Sequence, residues 1–208
     1  MKIFSPVNKS ILVLLIFLCS LNTSLQAQKK SERKKVAYEQ LDQLKNGALL
    51  VRLQTRELAI TALRKVGRDS EANELVKSQM KINRDILKAF RLNFKFAPVY
   101  FFYSNFSAPV IGGETDKVVF LNDSLQPDTS IKFTMKSFLT GEFAPVEKAG
   151  FGAALLLDNK LQQLKKPFPF YARTFETFAL FRRTRAETVQ KLNSKIEKFY
   201  TKRLNTKT

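Results

Sequence analysis

Hydrophobic residues recur at three- and four-residue steps between Ser31 and Val66. A stripe of this kind is typical of a helix that buries one face. The spacing predicts one continuous helix from Ser31 to Val66, which Gly67 would end because glycine readily adopts the conformation that follows a helix. Its apolar positions are Leu41, Leu44, Ala48, Leu49, Val51, Leu53, Leu58, Ile60, Ala62 and Leu63.

A second helical stripe follows Gly67 and predicts a helix from about Ser70 to Leu92. Asp69 and Glu71 stand at its beginning, where the helix dipole favours negative charge. Because the connection is short, the two helices are predicted to form an antiparallel hairpin. The inward positions of the second helix are Ala72, Leu75, Gln79, Ile82, Ile86 and Phe90.

The pattern changes at Ala97 to aromatic and β-branched residues bounded by proline and glycine, which favours strands. A turn at Asp158 to Lys160 would return the chain near Leu161, in a strand that Pro167 and Pro169 place at an edge. The four strands predicted before this turn are Pro98 to Tyr103, Lys117 to Leu121, Ile131 to Met135 and Gly150 to Leu157.

The last helix begins at Thr184, because Thr184 and Glu187 have the spacing at which each side chain satisfies the other's backbone donor. Val189, Leu192, Ile196 and Phe199 supply its buried stripe. The chain is therefore predicted to be α+β: an N-terminal antiparallel helical hairpin, a small, mostly antiparallel, Phe-rich sheet, and a C-terminal helix. The hairpin spans residues 28–95, the sheet region 96–176 and the C-terminal helix and tail 177–208, and together they form one predicted domain.

The first 27 residues have the three parts of an export signal. Lys2 and Lys9 are its positive part, Ile11 to Cys19 its apolar part, and cleavage is expected between Ala27 and Gln28. The alternative is a retained membrane anchor, but an apolar helix of this length covers only about half of a hydrocarbon core about 30 Å thick. We therefore expect a periplasmic or secreted protein.

Cys19 is the only cysteine, and the chain has no histidine and no tryptophan. Without residues 1–27 there is no thiol nucleophile, disulfide, imidazole base or zinc–thiolate site. We therefore expect no metal, no cofactor and no disulfide. About 180 remaining residues are enough to build a core without cross-links.

The chain has 36 Lys and Arg against 18 Asp and Glu; without residues 1–27, 34 basic residues remain and the net charge is +16. The excess lies in the predicted helical flanks, whereas residues 96–170 are neutral. Positive surfaces attract anionic partners, which outside the cytoplasm are anionic lipid, lipopolysaccharide, polysaccharide or acidic protein rather than nucleic acid. Alternatively, a basic chain is simply soluble. The predicted binding residues are Arg64, Lys65, Arg68, Lys77, Lys81, Arg84, Lys88, Arg182, Arg183 and Arg185.

These observations favour a non-catalytic binding or structural protein. One alternative is a carboxylate-based hydrolase that uses Glu114, Asp116, Glu142 or Glu147, for which two carboxyl groups should converge to about 5–9.5 Å. Another is an apolar-ligand carrier. In addition, Asp123 to Leu125 resembles the acceptor triplet of a bacterial O-glycosylation system, with Ser124 as the acceptor; a capped turn is the alternative.

Overall fold

Five strands form one mixed sheet in the computed structural model, which describes residues 28–147, 150–175 and 182–206. The sheet order is β2–β1–β3–β4–β5, and β1 is parallel to β2 and β3, whereas β4 is antiparallel to β3 and β5. The prediction of a mostly antiparallel sheet is therefore wrong. The strands are β1 (Ala48–Leu53), β2 (Val99–Tyr103), β3 (Phe138–Pro145), β4 (Gly152–Leu157) and β5 (Tyr171–Arg173).

Five α-helices accompany the sheet among the described residues, so the α+β class is confirmed. The continuous helix from Ser31 to Val66 is wrong, because this segment forms α1, β1 and α2 in succession. The hairpin of two long helices is therefore not found in its predicted form. The helices are α1 (28–45), α2 (Glu57–Lys65), α3 (Asp69–Asn93), α4 (Ser107–Gly112) and α5 (Arg185–Leu204).

The β1 strand is central and buried on both faces. Leu49, Leu50 and Val51 are all fully buried. A strand of this kind has apolar residues at nearly every position, so it also matches a helical spacing. Gly47 fixes where the strand begins, since a Cβ there would lie 2.0 Å from the backbone oxygen of Ser137.

The main core lies on one face of the sheet, beneath α1, α3 and α5. Phe90 of α3, Leu41 of α1 and Ile196 of α5 pack there against side chains of the central strands. The Asn193 side-chain oxygen accepts hydrogen bonds from the backbone N–H groups of Lys95 and Phe96, at 2.9 and 3.1 Å. These bonds attach α5 to the chain that leaves α3.

The opposite face carries two smaller apolar clusters. One includes Leu50, Phe102 and Phe120, and the other includes Leu155 and Val146. An ion pair links β1 to β3 on this face: Arg52 Nε donates to Glu142 Oε2 at 2.8 Å. The Glu142 side chain is only 9% exposed and that of Arg52 22%. A buried ion pair thus joins two of the parallel strands.

Two predicted strands between β2 and β3 are wrong. Within 117–121, only Phe120 and Leu121 form isolated bridges, and no strand is present at 131–135. Phe120 and Phe133 instead pack their rings against Tyr100, with centroids 5.5 and 5.4 Å apart. Apolar alternation here reflects side chains that cover the sheet rather than a further strand.

The remaining elements agree better with their predictions. The predicted second helix, the first and fourth strands and the last helix are confirmed as α3, β2, β4 and α5. Thr184 and Glu187 form the predicted reciprocal cap at the start of α5. The strand predicted near Leu161 is wrong: that region makes one bridge at Gln163, and β5 begins only at Tyr171.

Candidate anion-binding surfaces

Four predicted binding residues form a row along the solvent side of α3. They follow one another at steps of four, three and four residues, so they lie on one helical face, and all four are exposed. The described residues include no carboxylate that pairs with any of them. These residues, which we name the α3 row, are Lys77, Lys81, Arg84 and Lys88.

Among the predicted residues near the end of α2, only Arg68 pairs with a carboxylate in the part of the chain that the structure describes, whereas Arg64 and Lys65 are exposed. Arg64 and Lys65 occupy the last turn of α2, where cations are favourable to the helix dipole. Arg68 forms a two-bonded ion pair with Glu71, which lowers the pKa of the Glu71 carboxyl through those hydrogen bonds. Arg68 is therefore engaged within the fold, whereas the charges of Arg64 and Lys65 stay exposed to solvent.

A groove between α3, the edge of the sheet and the beginning of α5 collects four predicted residues. Lys88, Arg182, Arg183 and Arg185 line it together with Arg56, which the sequence did not single out. Its volume is about 1050 Å³. We name it the arginine groove; it is the place where the structure brings predicted residues from two distant segments together.

Two arginines of this groove are engaged in packing. Arg185 lies 3.6 Å from a carboxylate oxygen of Asp85. The Arg183 guanidinium lies over the ring of Phe175 at 4.8 Å and donates to the backbone oxygen of Arg173 at 3.3 Å. Asp85 offsets the charge of Arg185, whereas Arg183 keeps its charge and is held in place by the ring and the carbonyl.

A second basic cavity lies between α1, the chain at residues 166–167 and the end of α5. Its volume is about 790 Å³. Six exposed cations surround an apolar floor that is made by Tyr38, Pro167 and Phe199. The cations of this cavity, which we name the α1–α5 cleft, are Lys29, Lys30, Arg33, Lys34, Lys166 and Lys202.

Arg203 holds the two helical walls of the cleft together. Its guanidinium makes two hydrogen bonds to the Asp42 carboxylate of α1, one of them at 2.7 Å, and another to the backbone oxygen of Tyr38 at 3.2 Å. The bonds to Asp42 raise the pKa of Arg203 above its ordinary value. The rings of Tyr38 and Phe199 also meet, with centroids 5.6 Å apart. The cleft is therefore built on a fixed junction.

The electrostatic environment of the cleft is one-sided. None of its six cations pairs with a carboxylate among the residues that the structure describes. Asp42, the acid at the junction, is already bonded to Arg203. The pKa of Lys195 on α5 is lowered, first by burial and then by neighbouring cations that include Lys166.

Sequence reasoning missed this cleft, although part of its signal was visible. Lys30, Lys34 and Tyr38 recur every four residues and therefore share one face of α1. The predicted hairpin gave that helix no contact with the C-terminal helix. Lys166 and Lys202 are distant in sequence, and only the packing of α1 against α5 brings them to this face.

The four carboxylates of the hydrolase alternative lie apart from both basic cavities. Glu142 is bonded to Arg52, and Glu114 pairs with a lysine one turn along the chain. Asp116 and Glu147 are exposed. A carboxylate already held by a guanidinium is a poor general base or nucleophile. The hydrolase alternative and the carrier alternative stay predictions, as does glycosylation of the turn at residue 124.

Within residues 28–147, 150–175 and 182–206, no group of three or more acidic, histidine or cysteine side chains could hold a metal ion. In the same residues, no helix combines the length and the apolarity that are needed to cross a bilayer. Comparison of the chain with protein-family models, curated proteins and solved structures finds no match. What these surfaces can bind follows from the charge, burial and contacts of the chain's own side chains.

Proposed function

We propose that the protein is exported and serves as a non-catalytic binding protein of the periplasm or the cell exterior. Its basic helices contact anionic envelope surfaces or acidic partners. The proposed export depends on the sequence of residues 1–27, which lie outside the described residues. The proposed binding depends on cations that the folded chain leaves unpaired.

The observation that carries the proposal is the α3 row. Its four cations share one exposed face and have no carboxylate partner among the described residues. Asp85 follows Arg84 on α3, but it does not pair with the row. Its carboxylate lies 3.6 Å from Arg185 of α5. Each Lys or Arg close to an anionic membrane surface contributes about 1 kcal/mol to binding at low salt. A row of four can therefore support measurable association.

Binding is tested with the protein that is recovered after expression of the full chain. Its association with vesicles of phosphatidylglycerol and phosphatidylcholine is measured by sedimentation at low and at high salt. We expect association that salt weakens, because screening acts on exposed charges. The variant K77Q/K81Q/K88Q should bind several-fold more weakly than the wild type.

The matched control is K132Q/K136Q/K160Q, which removes the same number of lysines from exposed positions of the neutral central segment. Both variants have the same net charge, so a difference between them reports position. An equal loss in both variants would contradict the role of the α3 row. Absence of any salt-sensitive association with anionic vesicles would overturn the proposed function.

Export is tested separately by mass spectrometry of the protein from fractionated cells. The proposal expects envelope or culture-medium material whose N-terminus is Gln28. Intact Met1 on protein from the cytosol would contradict export. Nucleic acids would then become the anionic partners to test first, because a basic surface in the cytoplasm encounters them at high concentration.

A further inference from the structure

We propose that the α1–α5 cleft is a binding site for a phosphate-bearing amphiphile. The cations at its rim, among them Lys30, Lys34 and Lys202, would hold the anionic headgroup, and Tyr38 and Phe199 would contact the apolar part. This inference rests on the proposed function, since it names one site and one ligand chemistry within a basic surface. It concerns residues that lie outside the α3 row.

The first argument is the uncompensated charge. Lys29 and Arg33, and likewise Lys30 and Lys34, are like-charged pairs one helical turn apart, an arrangement that destabilises a helix. No described carboxylate lies within ion-pair distance of these four residues. Five of the six cations are lysines, whose compact ammonium groups suit phosphate without requiring a fixed bidentate geometry. An anion with more than one negative charge would offset this repulsion.

The second argument is the floor. Tyr38 and Phe199 are half-buried, and Pro167 completes an apolar surface below the charged rim. A ligand that carries only an anion would leave this surface in contact with water. A ligand with an acyl chain would cover it, and each buried methylene group is favourable. The volume of about 790 Å³ lies in the range of about 300–1000 Å³ that is usual for small-molecule sites.

The same rings argue against a nucleobase as the occupant. Stacking of a base requires a free aromatic face. Lys34 and Arg203 lie over the Tyr38 ring at 5.5 and 4.9 Å, and Phe199 packs against Tyr38 and against Phe168. Because these contacts occupy the rings, the floor offers apolar edges rather than a stacking platform. The observations therefore favour an amphiphile.

Residues 1–27, which precede α1 in the sequence, have the wrong charge to occupy the cleft. Residues 1–27 contain Lys2 and Lys9 but no Asp or Glu, so they have the same sign as the rim. Charge complementarity therefore points to a separate molecule. Its phosphate can belong to a membrane lipid or to a dispersed amphiphile, and the test has to distinguish these two sources.

The test uses protein recovered after expression of the full chain, and titration calorimetry at low salt. Dioctanoyl phosphatidic acid below its micellar concentration is the amphiphile, and pyrophosphate is the anion without a tail. Dibutanoyl phosphatidic acid shortens the tail, and octyl glucoside supplies a tail without the phosphate. Vesicles of phosphatidylglycerol and phosphatidylcholine report the membrane source. A short single-stranded oligonucleotide reports nucleic acid.

We expect saturable one-to-one binding of dioctanoyl phosphatidic acid, at least about tenfold tighter than the dibutanoyl form or pyrophosphate, because burying the longer tail adds apolar contact. Octyl glucoside should bind far more weakly. The variant K30Q/K34Q/K202Q should bind the amphiphile at least about tenfold more weakly, because the losses from several headgroup contacts add together. The variant K132Q/K136Q/K160Q should leave the affinity for dioctanoyl phosphatidic acid within about twofold, because these lysines lie away from the cleft and act only through screened charge.

Binding of both the dispersed amphiphile and the vesicles would show that the cleft accepts membrane lipids as well as free ligand. Binding to the dispersed form alone would assign it to a soluble amphiphile. The amphiphile proposal is overturned if pyrophosphate or the oligonucleotide binds as tightly, or if the central control variant loses as much affinity as the cleft variant. In either case vesicle association that depends on the α3 row would still support the proposed function.

A second measurement needs no variant. Brief acetylation of the wild-type protein, read by peptide mass spectrometry, reports the accessibility of each lysine. Bound dioctanoyl phosphatidic acid should slow modification of Lys30, Lys34 and Lys202 at least about threefold, while Lys132 and Lys160 change little, because only the first three lie at the occupied rim. Equal rates at all five with and without the amphiphile would overturn the proposed site even if the ligand binds elsewhere.

Discussion

The ion pair between β1 and β3 gives the most decisive test of the fold. Arg52 and Glu142 face each other in register on neighbouring parallel strands, and the Glu142 side chain is 9% exposed. Changing Arg52 to Met keeps an unbranched apolar side chain at this position but removes the guanidinium, which is the partner of a buried carboxylate. The perturbation therefore isolates the cost of an uncompensated charge.

The magnitude follows from the burial of the two groups. Removing one partner of a buried pair costs about 3–5 kcal/mol, whereas an exposed pair is worth about 0–1 kcal/mol. We expect the higher range for R52M, which strands the more buried Glu142. We expect about 1–3 kcal/mol for E142Q, because Arg52 retains contact with water and keeps one weaker hydrogen bond. The double variant R52M/E142L should return to within about 1 kcal/mol of the wild type.

Urea denaturation measures the free energies of unfolding, and circular dichroism measures thermal midpoints. A loss of 3–5 kcal/mol in a chain of this size corresponds to a midpoint lowered by about 6–20 °C. The reasoning is refuted if R52M costs less than about 1 kcal/mol, since the pair would then behave as a surface pair. It is also refuted if the double variant is less stable than R52M, because the apolar pair should fill the same space.

Four further predictions concern single positions. Thr184→Ala should cost about 1 kcal/mol in urea denaturation because the cap of α5 is lost. The pKa of Glu187 is lowered by its hydrogen bonds from Thr184. The wild type should therefore be more stable than E187Q near neutral pH, and this difference should disappear as the pH falls through the folded-state pKa of Glu187. A stability difference that persists in acid would contradict this cause. Burial raises the pKa of Tyr103 above its ordinary 10.0, so the phenolate absorbance that Y103F removes should titrate above that value. Gly47→Ala should lower the free energy of unfolding by about 1–3 kcal/mol through overpacking. Gly112→Ala is its control, because the added Cβ meets only ordinary contacts, and it should change the free energy of unfolding by less than about 0.5 kcal/mol. Urea denaturation measures both.

The sequence predicted best those elements whose local signals agree with their final surroundings. The reciprocal cap at Thr184 and the amphipathic stripe of α3 are both local, and both are present in the structure. The β2 strand is bounded by Pro98, and its two phenylalanines, Phe101 and Phe102, are fully buried. In each case the propensity, the boundary residue and the burial indicate the same element.

Prediction was wrong where a segment's environment is set by distant parts of the chain. The apolar residues of β1 have the spacing of a helix, yet the segment forms a strand because β2 and β3 pair with it on its two sides. A signal for the boundary between α1 and β1 was present at Asn46 and Gly47, which follow the end of α1 and directly precede the strand. That glycine is required because the backbone at Ser137 lies against it, which the sequence alone does not reveal.

The candidate site shows the same limit, because net charge does not say which cations are free. Arg68, Arg183 and Arg185 belonged to the predicted surface, yet each is engaged by a carboxylate or an aromatic ring. The α3 row was predicted and remains exposed and unpaired. The α1–α5 cleft was not predicted, although its six cations outnumber the four of the α3 row and are also exposed.

Which cations are free is decided by where the folded chain places its carboxylates. Asp42 pairs with Arg203 at the junction of α1 and α5, and Asp85 lies 3.6 Å from Arg185 beside the arginine groove. With these acids engaged, the lysines at the rim of the cleft have no carboxylate partner among the described residues, so an external anion does not have to displace a carboxylate. A binding anion competes only with water and salt at that rim, and this is why its affinity should fall steeply as ionic strength rises.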